Sequence, residues 1–78
     1  MPGAYDVLNK LKWTGRLGEC QITILHRGAP GNRKTISGAK ITELKKHWFM
    51  YENKEETLIP MHRVLEIKVG GKGEWRKG

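Results

Sequence analysis

The chain has a single cysteine, Cys20, so it cannot form a disulfide within itself. We expect Cys20 to be a small buried side chain in a reducing compartment. No apolar run is long enough to cross a bilayer. The first residues also lack the basic head and apolar stretch of a signal peptide. Together these absences predict a cytoplasmic protein.

Metal ligands are sparse as well. The chain has three histidines, and the gaps between Cys20, His26, His47 and His62 are wider than the ligand spacing of zinc sites. We therefore expect no metal site and no cofactor.

Acidic residues are few relative to basic ones. The chain has eight Asp and Glu and 15 Lys and Arg, which gives a formal net charge of +7. Such an excess points to a polyanionic partner. A membrane surface is the rival polyanion, but no stretch combines a basic face with a bulky apolar one. Nucleic acid is therefore the expected partner class.

With 78 residues the chain is expected to be one domain, 1–78, with a shallow surface site.

The order of elements predicts an α+β fold. Helical spacing of apolar residues indicates a short first helix, with Asp6 as its N-cap and Gly15 as its stop. Turn residues then separate short β-like stretches at 20–26, 33–37, 47–52, 57–59, 62–69 and around 74–76, while 41–45 fits a strand or a helical turn. Pro30-Gly31 is typical of a type II turn. We expect the helix to pack on a curled, mostly antiparallel sheet of about five short strands, with a barrel as the extreme form of that curl.

The dipeptide His-Arg occurs twice, at the edges of apolar, β-like runs. His26-Arg27 leaves the first run and His62-Arg63 enters the second. An imidazole that changes charge near neutral pH beside a permanent guanidinium suits a phosphate or phosphodiester. The alternative is a pair of structural histidines with solvated arginines. Strand alternation does not bring His26 and His62 face to face, and only a bulge or Pro60 could reset the register.

A second basic segment follows the first His-Arg pair. Residues 28–35 differ from a phosphate-binding P-loop at Arg33, which replaces the second glycine, and a hairpin follows in place of a helix. A Pro-Gly turn is thus the better interpretation. Arg33 and Lys34 remain candidates for nonspecific phosphate contacts.

Three tryptophans are candidates for the core or for base stacking. We expect at least two of Trp13, Trp48 and Trp75 to lie in the core of so small a domain. Trp75, between Glu74 and Arg76, is expected to be partly exposed and is the candidate for base stacking.

Three segments carry a resemblance to a known family. The runs at 6–13, 26–31 and 59–64, which read DVLNKLKW, HRGAPG and IPMHRV, together resemble the RNA cyclic group end recognition domain, a small and mostly archaeal family. The resemblance covers nearly the whole chain, including Trp75-Arg76. It implies binding of RNA termini with a 2′,3′-cyclic phosphate or a related processed end. The motif positions carried over are His26, Arg27, His62 and Arg63.

These observations predict an RNA-binding module without catalytic residues, acting in RNA processing or repair. RNA-processing enzymes are expected partners because members of the family occur fused to such domains, and no membrane contact is expected. Two alternatives stay open. One is a metal-independent RNA phosphodiesterase or nuclease that uses His26 and His62 as base and acid. The other is a basic structural or interaction module in an RNA-processing or ribosomal assembly.

Overall fold

The computed structural model describes residues 3–77, which form one α-helix and seven β-strands. In chain order these are α1 (Ala4–Trp13), β1 (Cys20–Leu25), β2 (Arg33–Ser37), β3 (Ile41–Leu44), β4 (Trp48–Asn53), β5 (Glu55–Pro60), β6 (Val64–Val69) and β7 (Lys72–Arg76). One sheet has the strand order β2-β1-β6-β7 and the other β3-β4-β5. All neighbouring strands are antiparallel.

The predicted α+β class and antiparallel pairing are confirmed. The number of strands differs, because residues 3–77 contain seven strands in two sheets rather than about five in one. Within the described residues no strand pairing joins the two sheets, so their curl does not close into a barrel.

The start of α1 corrects one prediction. Gly3 is the N-cap and Asp6 lies at the third helical position. The Gly3 backbone N–H donates to Asp6 Oδ2 at 2.9 Å. Asp6 thus accepts from the cap residue, as the third residue of a capping box does, and its charge favours the helix N-terminus.

The predicted helix stop at Gly15 is confirmed. Gly15 adopts a left-handed conformation (φ 73°) and donates to Lys12 O at 3.2 Å. The Arg16 N–H donates to Leu11 O at 2.8 Å. This pair of bonds is a Schellman motif, in which a glycine fits because it has no Cβ.

A single apolar core joins the helix to both sheets. The helix contributes Ala4, Leu8 and Leu11, which recur at the spacing of one helical face. The strands contribute the remaining buried side chains, namely Cys20, Ile22, Ile24, Ile36, Phe49, Tyr51, Ile59, Val64, Ile67 and Val69.

The tryptophans do not fill this core, which corrects the expectation that at least two of them would. Trp13 is 81% exposed, and Trp48 and Trp75 are half-buried. Trp13 follows the buried Leu11 by two residues, or about 200° around a helix with 3.6 residues per turn. It therefore lies on the face that the helix turns away from the sheets.

Cys20 is buried as predicted, with 1% of its surface exposed. Burial raises the pKa of its thiol, and backbone hydrogen bonds offset only part of that effect. We expect native Cys20 to react with Ellman's reagent at least about tenfold more slowly than the unfolded chain, because the thiolate is the nucleophile. The absorbance change at pH 8, with and without guanidinium chloride, measures this difference. Equal rates would show that the thiol is accessible in the native fold.

Candidate nucleic-acid interface

Strand pairing brings the two His-Arg pairs to the same end of one sheet. β1 and β6 are antiparallel neighbours, and Ile24 pairs with Val64. β1 ends one residue after Ile24, whereas β6 begins at Val64. The residues that leave β1 and those that enter β6 therefore lie side by side.

The two pairs line one surface hollow, which we call the His-Arg hollow. Its volume is about 500 Å³, and it is lined by Leu25, His26, Arg27, His62, Arg63 and Lys77. Both imidazoles and both guanidinium groups belong to exposed residues. A ligand in this hollow can thus meet all four side chains from solvent.

This convergence corrects the argument from strand alternation. Thr23 pairs with Glu66 and Ile24 with Val64, so Leu65 is an extra residue that bulges from β6. In addition, His62 lies in a 3₁₀ turn, Met61–Arg63, which precedes the strand. The alternation of side-chain direction along β6 therefore does not extend to His62, and it does not predict where the His62 side chain lies.

The hairpin after β1 holds the first pair in place through its backbone. The His26 N–H donates to Asn32 O at 2.9 Å, and the Ala29 N–H donates to His26 O at 3.3 Å. The Asn32 N–H donates to Ala29 O at 2.8 Å across the predicted Pro30-Gly31 turn, in which Gly31 has a φ of 66°. These bonds fix the chain on both sides of Arg27.

Lys77 is the charged residue of the hollow that sequence reasoning missed. Its backbone N–H donates to Leu65 O at 2.9 Å, at the bulge, and its Nζ donates to His62 O at 2.6 Å. Both contacts follow from the pairing of β7 with β6. The sequence contains no local signal for them, because Lys77 is one of many basic residues and lies 15 positions from His62.

The ionisable side chains that the structure describes in the lining of the His-Arg hollow are all basic. Its lining has three cationic side chains and two imidazoles, and no carboxylate is among the described lining residues. Among residues 3–77, the ion pairs involve other basic residues, namely Arg16, Lys45 and Lys68. Arg27 and Arg63 therefore keep their hydrogen-bond donors available for an anion.

Arg33 and Lys34 lie outside this hollow, on opposite faces of β2. Arg33 is directly opposite Leu25, so the two side chains share a face and Arg33 lies near the rim. Lys34 contacts the second sheet instead, where its Nζ donates to Tyr51 Oη at 3.2 Å and lies 5.6 Å from the ring centroid. Of the two residues predicted to contact RNA phosphates, only Arg33 lies close to the His-Arg pairs.

Trp75 is half-buried, as predicted, and packs against the core. It pairs with Ile67 in the sheet. Trp75 also lines a second hollow of about 400 Å³, beside the first, together with His47, Met61, His62 and Lys77. The predicted stacking residue is thus close to the second His-Arg pair.

Two further features bear on function. Among the described residues, no three His, Cys, Asp or Glu side chains are grouped in a way that could hold a metal ion. Between residues 3 and 77, no helix has the length and apolar character that a membrane span requires.

Comparison with known proteins identifies the family. The model of the MJ1316 RNA cyclic group end recognition domain matches residues 1–77. The chain belongs to this family. The predicted resemblance is therefore confirmed over nearly the whole length of the chain.

Relatives from archaea support this assignment. The UPF0248 protein MJ1316 of Methanocaldococcus jannaschii is 39% identical over 71 residues, which cover 88% of this chain and 84% of that protein. A UPF0248 protein of Thermococcus sibiricus is 41% identical over 75 residues, covering 92% and 82%. One from Methanococcus vannielii is 42% identical over 65 residues, covering 81% and 74%. No solved structure matches the chain significantly.

Proposed function

We propose that the protein binds RNA 3′ ends that carry a 2′,3′-cyclic phosphate, in RNA processing or repair, and that it acts as a binding module rather than as an enzyme. The observation that carries this proposal is the meeting of both His-Arg pairs in one hollow, whose described lining residues include no carboxylate. The name of the family model supports the same ligand.

The chemistry of the ligand matches the donors of the hollow. A cyclic phosphodiester is a monoanion with two non-bridging oxygens. One guanidinium can donate to both oxygens through a bidentate pair of charge-assisted hydrogen bonds. Arg27 and Arg63 supply such donors, while His26 and His62 can donate to an ester oxygen or to a ribose hydroxyl.

Two further cations extend the site along the RNA. Lys77 lines the hollow, and its Nζ is held close to the His62 carbonyl. Arg33 lies on the same face as Leu25 and is the candidate for contact with the phosphate upstream of the terminal one. RNA-processing enzymes that produce or repair cyclic ends are the partner class that fits this ligand.

The direct test compares one short labelled RNA with three different 3′ ends. Fluorescence anisotropy measures the affinity for the cyclic phosphate, the linear phosphate and the hydroxyl form. We expect the cyclic end to bind most tightly, and His62→Ala to remove this preference while the circular dichroism spectrum stays unchanged. Equal affinity for all three ends would reduce the protein to a general basic RNA-binding module.

Salt dependence tests the electrostatic part of the proposal. We expect the logarithm of the association constant to fall linearly with the logarithm of salt concentration, by about 0.7 for each phosphate neutralised on a single strand. Arg33→Ala should reduce this slope by about 0.7, because one phosphate contact is lost. Anisotropy titrations at several potassium chloride concentrations give the slopes. A flat dependence would contradict ion pairing as the source of affinity.

The convergence of two imidazoles also favours a second candidate function. His26 and His62 line the same hollow, and a pair of imidazoles at one phosphodiester can act as general base and general acid. Incubation with cyclic-ended RNA, followed by mass spectrometry, separates the two functions. Addition of one water to the RNA would establish a phosphodiesterase, whereas unchanged RNA supports binding alone.

A further inference from the structure

The His-Arg hollow shares a wall with the second hollow, which we call the apolar hollow. His62 and Lys77 line both. The lining of the apolar hollow differs in chemistry from that of the His-Arg hollow, because it includes Trp75, Tyr5 and Met61. An anion site and an aromatic-lined site therefore lie next to each other, separated by one histidine and one lysine.

His47 faces the apolar hollow from the connection between β3 and β4. Its carbonyl accepts from the Met61 N–H at 2.8 Å, which ties this connection to the turn that carries His62. His47 is exposed, and it does not line the His-Arg hollow. His47 thus belongs to the same surface as His62, although 15 residues separate the two in sequence.

We propose that the apolar hollow is a subsite for the terminal nucleobase of the RNA whose cyclic phosphate lies in the His-Arg hollow. This inference rests on the proposed function. The ribose joins the cyclic phosphate to the base through a few covalent bonds, so the base must lie within one nucleotide of the phosphate. In that position it meets the aromatic-lined hollow that adjoins the His-Arg hollow.

The chemistry of the lining fits a nucleobase. Bases stack on aromatic side chains, and this contact tolerates every base because each has a π-face. Trp75 and Tyr5 are half-buried, so part of each side chain is packed against the protein and part is accessible to a ligand. The His47 imidazole can both donate and accept a hydrogen bond at a base edge. A phosphate alone would use none of these groups, whereas a nucleotide uses both hollows.

The test uses two RNAs of the same sequence that both end in a 2′,3′-cyclic phosphate. One ends in adenosine, and the other has 1-deoxyribose in place of the terminal nucleoside and so lacks a base. We expect the adenosine-ended RNA to bind about tenfold more tightly in anisotropy titrations, which is the range of one base–aromatic stack. His47→Ala should lower this ratio to about threefold. Lys45→Ala is the matched control, because Lys45 is exposed on the same connection but lines neither hollow.

A second readout follows the tryptophan itself. In protein labelled with 5-fluorotryptophan, we expect the ¹⁹F resonance of Trp75 to shift with the adenosine-ended RNA and not with the base-free RNA. The exposed Trp13 serves as the internal reference. Assignment of each resonance needs only one Trp→Phe variant at a time.

The outcomes separate this inference from the proposed function. If both cyclic-ended RNAs bind equally and still bind more tightly than the hydroxyl-ended RNA, the base subsite is wrong and end recognition stands. If neither cyclic-ended RNA binds more tightly than the hydroxyl-ended one, the proposed function and the subsite both fail. An unshifted Trp75 resonance on the adenosine-ended RNA would also overturn the subsite.

Discussion

Replacing Arg63 with alanine is expected to weaken binding to RNA with a 2′,3′-cyclic phosphate by about 100-fold, because two hydrogen bonds to a charged group are worth about 3 kcal/mol. The structure places Arg63 in the His-Arg hollow, exposed and outside the ion pairs of the described residues. Anisotropy with cyclic-ended and hydroxyl-ended RNA measures the loss. The hydroxyl-ended RNA should lose much less, since it presents no terminal phosphate.

Arg16→Ala is the matched control for this variant. It removes the same charge, and Arg16 is exposed but pairs with Glu19 outside the His-Arg hollow. We expect it to weaken binding to both RNAs equally, by about threefold or less, because it only reduces the overall positive electrostatic potential of the protein. If Arg63→Ala behaves like Arg16→Ala, the hollow is not the phosphate site.

Coupling between the two pairs is the finer test of one shared site. If Arg27 and Arg63 hold the same phosphate, the free-energy costs of Arg27→Ala and Arg63→Ala should not add in the double variant. A coupling energy of about 1 kcal/mol is expected for residues that share one ligand. Additive costs would place the two arginines on different phosphates.

Gly38→Ala is expected to lower the free energy of unfolding by about 3 kcal/mol, which is the upper range for overpacking in a well-packed core. Gly38 is buried at the end of β2, and an added Cβ would overlap the Leu17 carbonyl oxygen and Cys20 Sγ. A backbone oxygen cannot move aside as a flexible side chain can. For a domain of this size, the melting temperature should fall by about 15 °C.

Gly73→Ala provides the comparison for Gly38→Ala. Gly73 lies in β7, and an added Cβ there meets no atom within 4 Å. We expect its stability to stay within about 0.5 kcal/mol of the wild type, as is usual for surface substitutions. Urea unfolding followed by tryptophan fluorescence measures both variants. Equal stabilities of the two variants would contradict the close approach at Gly38.

The fold was largely predictable where local chemistry decides it. The stop at Gly15, the strand at 33–37 and the turn at Pro30-Gly31 depend on residues close in sequence, and all three are confirmed. The division into two sheets depends on which strands pair across the chain. Sequence periodicity carries no information about that choice, so the number of sheets was not predictable.

The candidate site was predictable in its residues and not in its geometry. The repeated His-Arg dipeptide identified four of the six described residues that line the His-Arg hollow. Their convergence depends on the bulge at Leu65 and on a 3₁₀ turn, which shift the side chains relative to simple alternation. Lys77 joins the hollow only through the pairing of β7 with β6.

The most direct measurement of the central claim is an NMR titration that follows the imidazole resonances of His26 and His62. The ligand is a short RNA ending in a 2′,3′-cyclic phosphate, and the same RNA with a 3′ hydroxyl is the control. If the two His-Arg pairs form one site, both imidazoles should shift with a single dissociation constant on the cyclic end and hardly respond to the hydroxyl end. Shifts at only one histidine, or equal shifts with both RNAs, would contradict a shared site for the terminal phosphate.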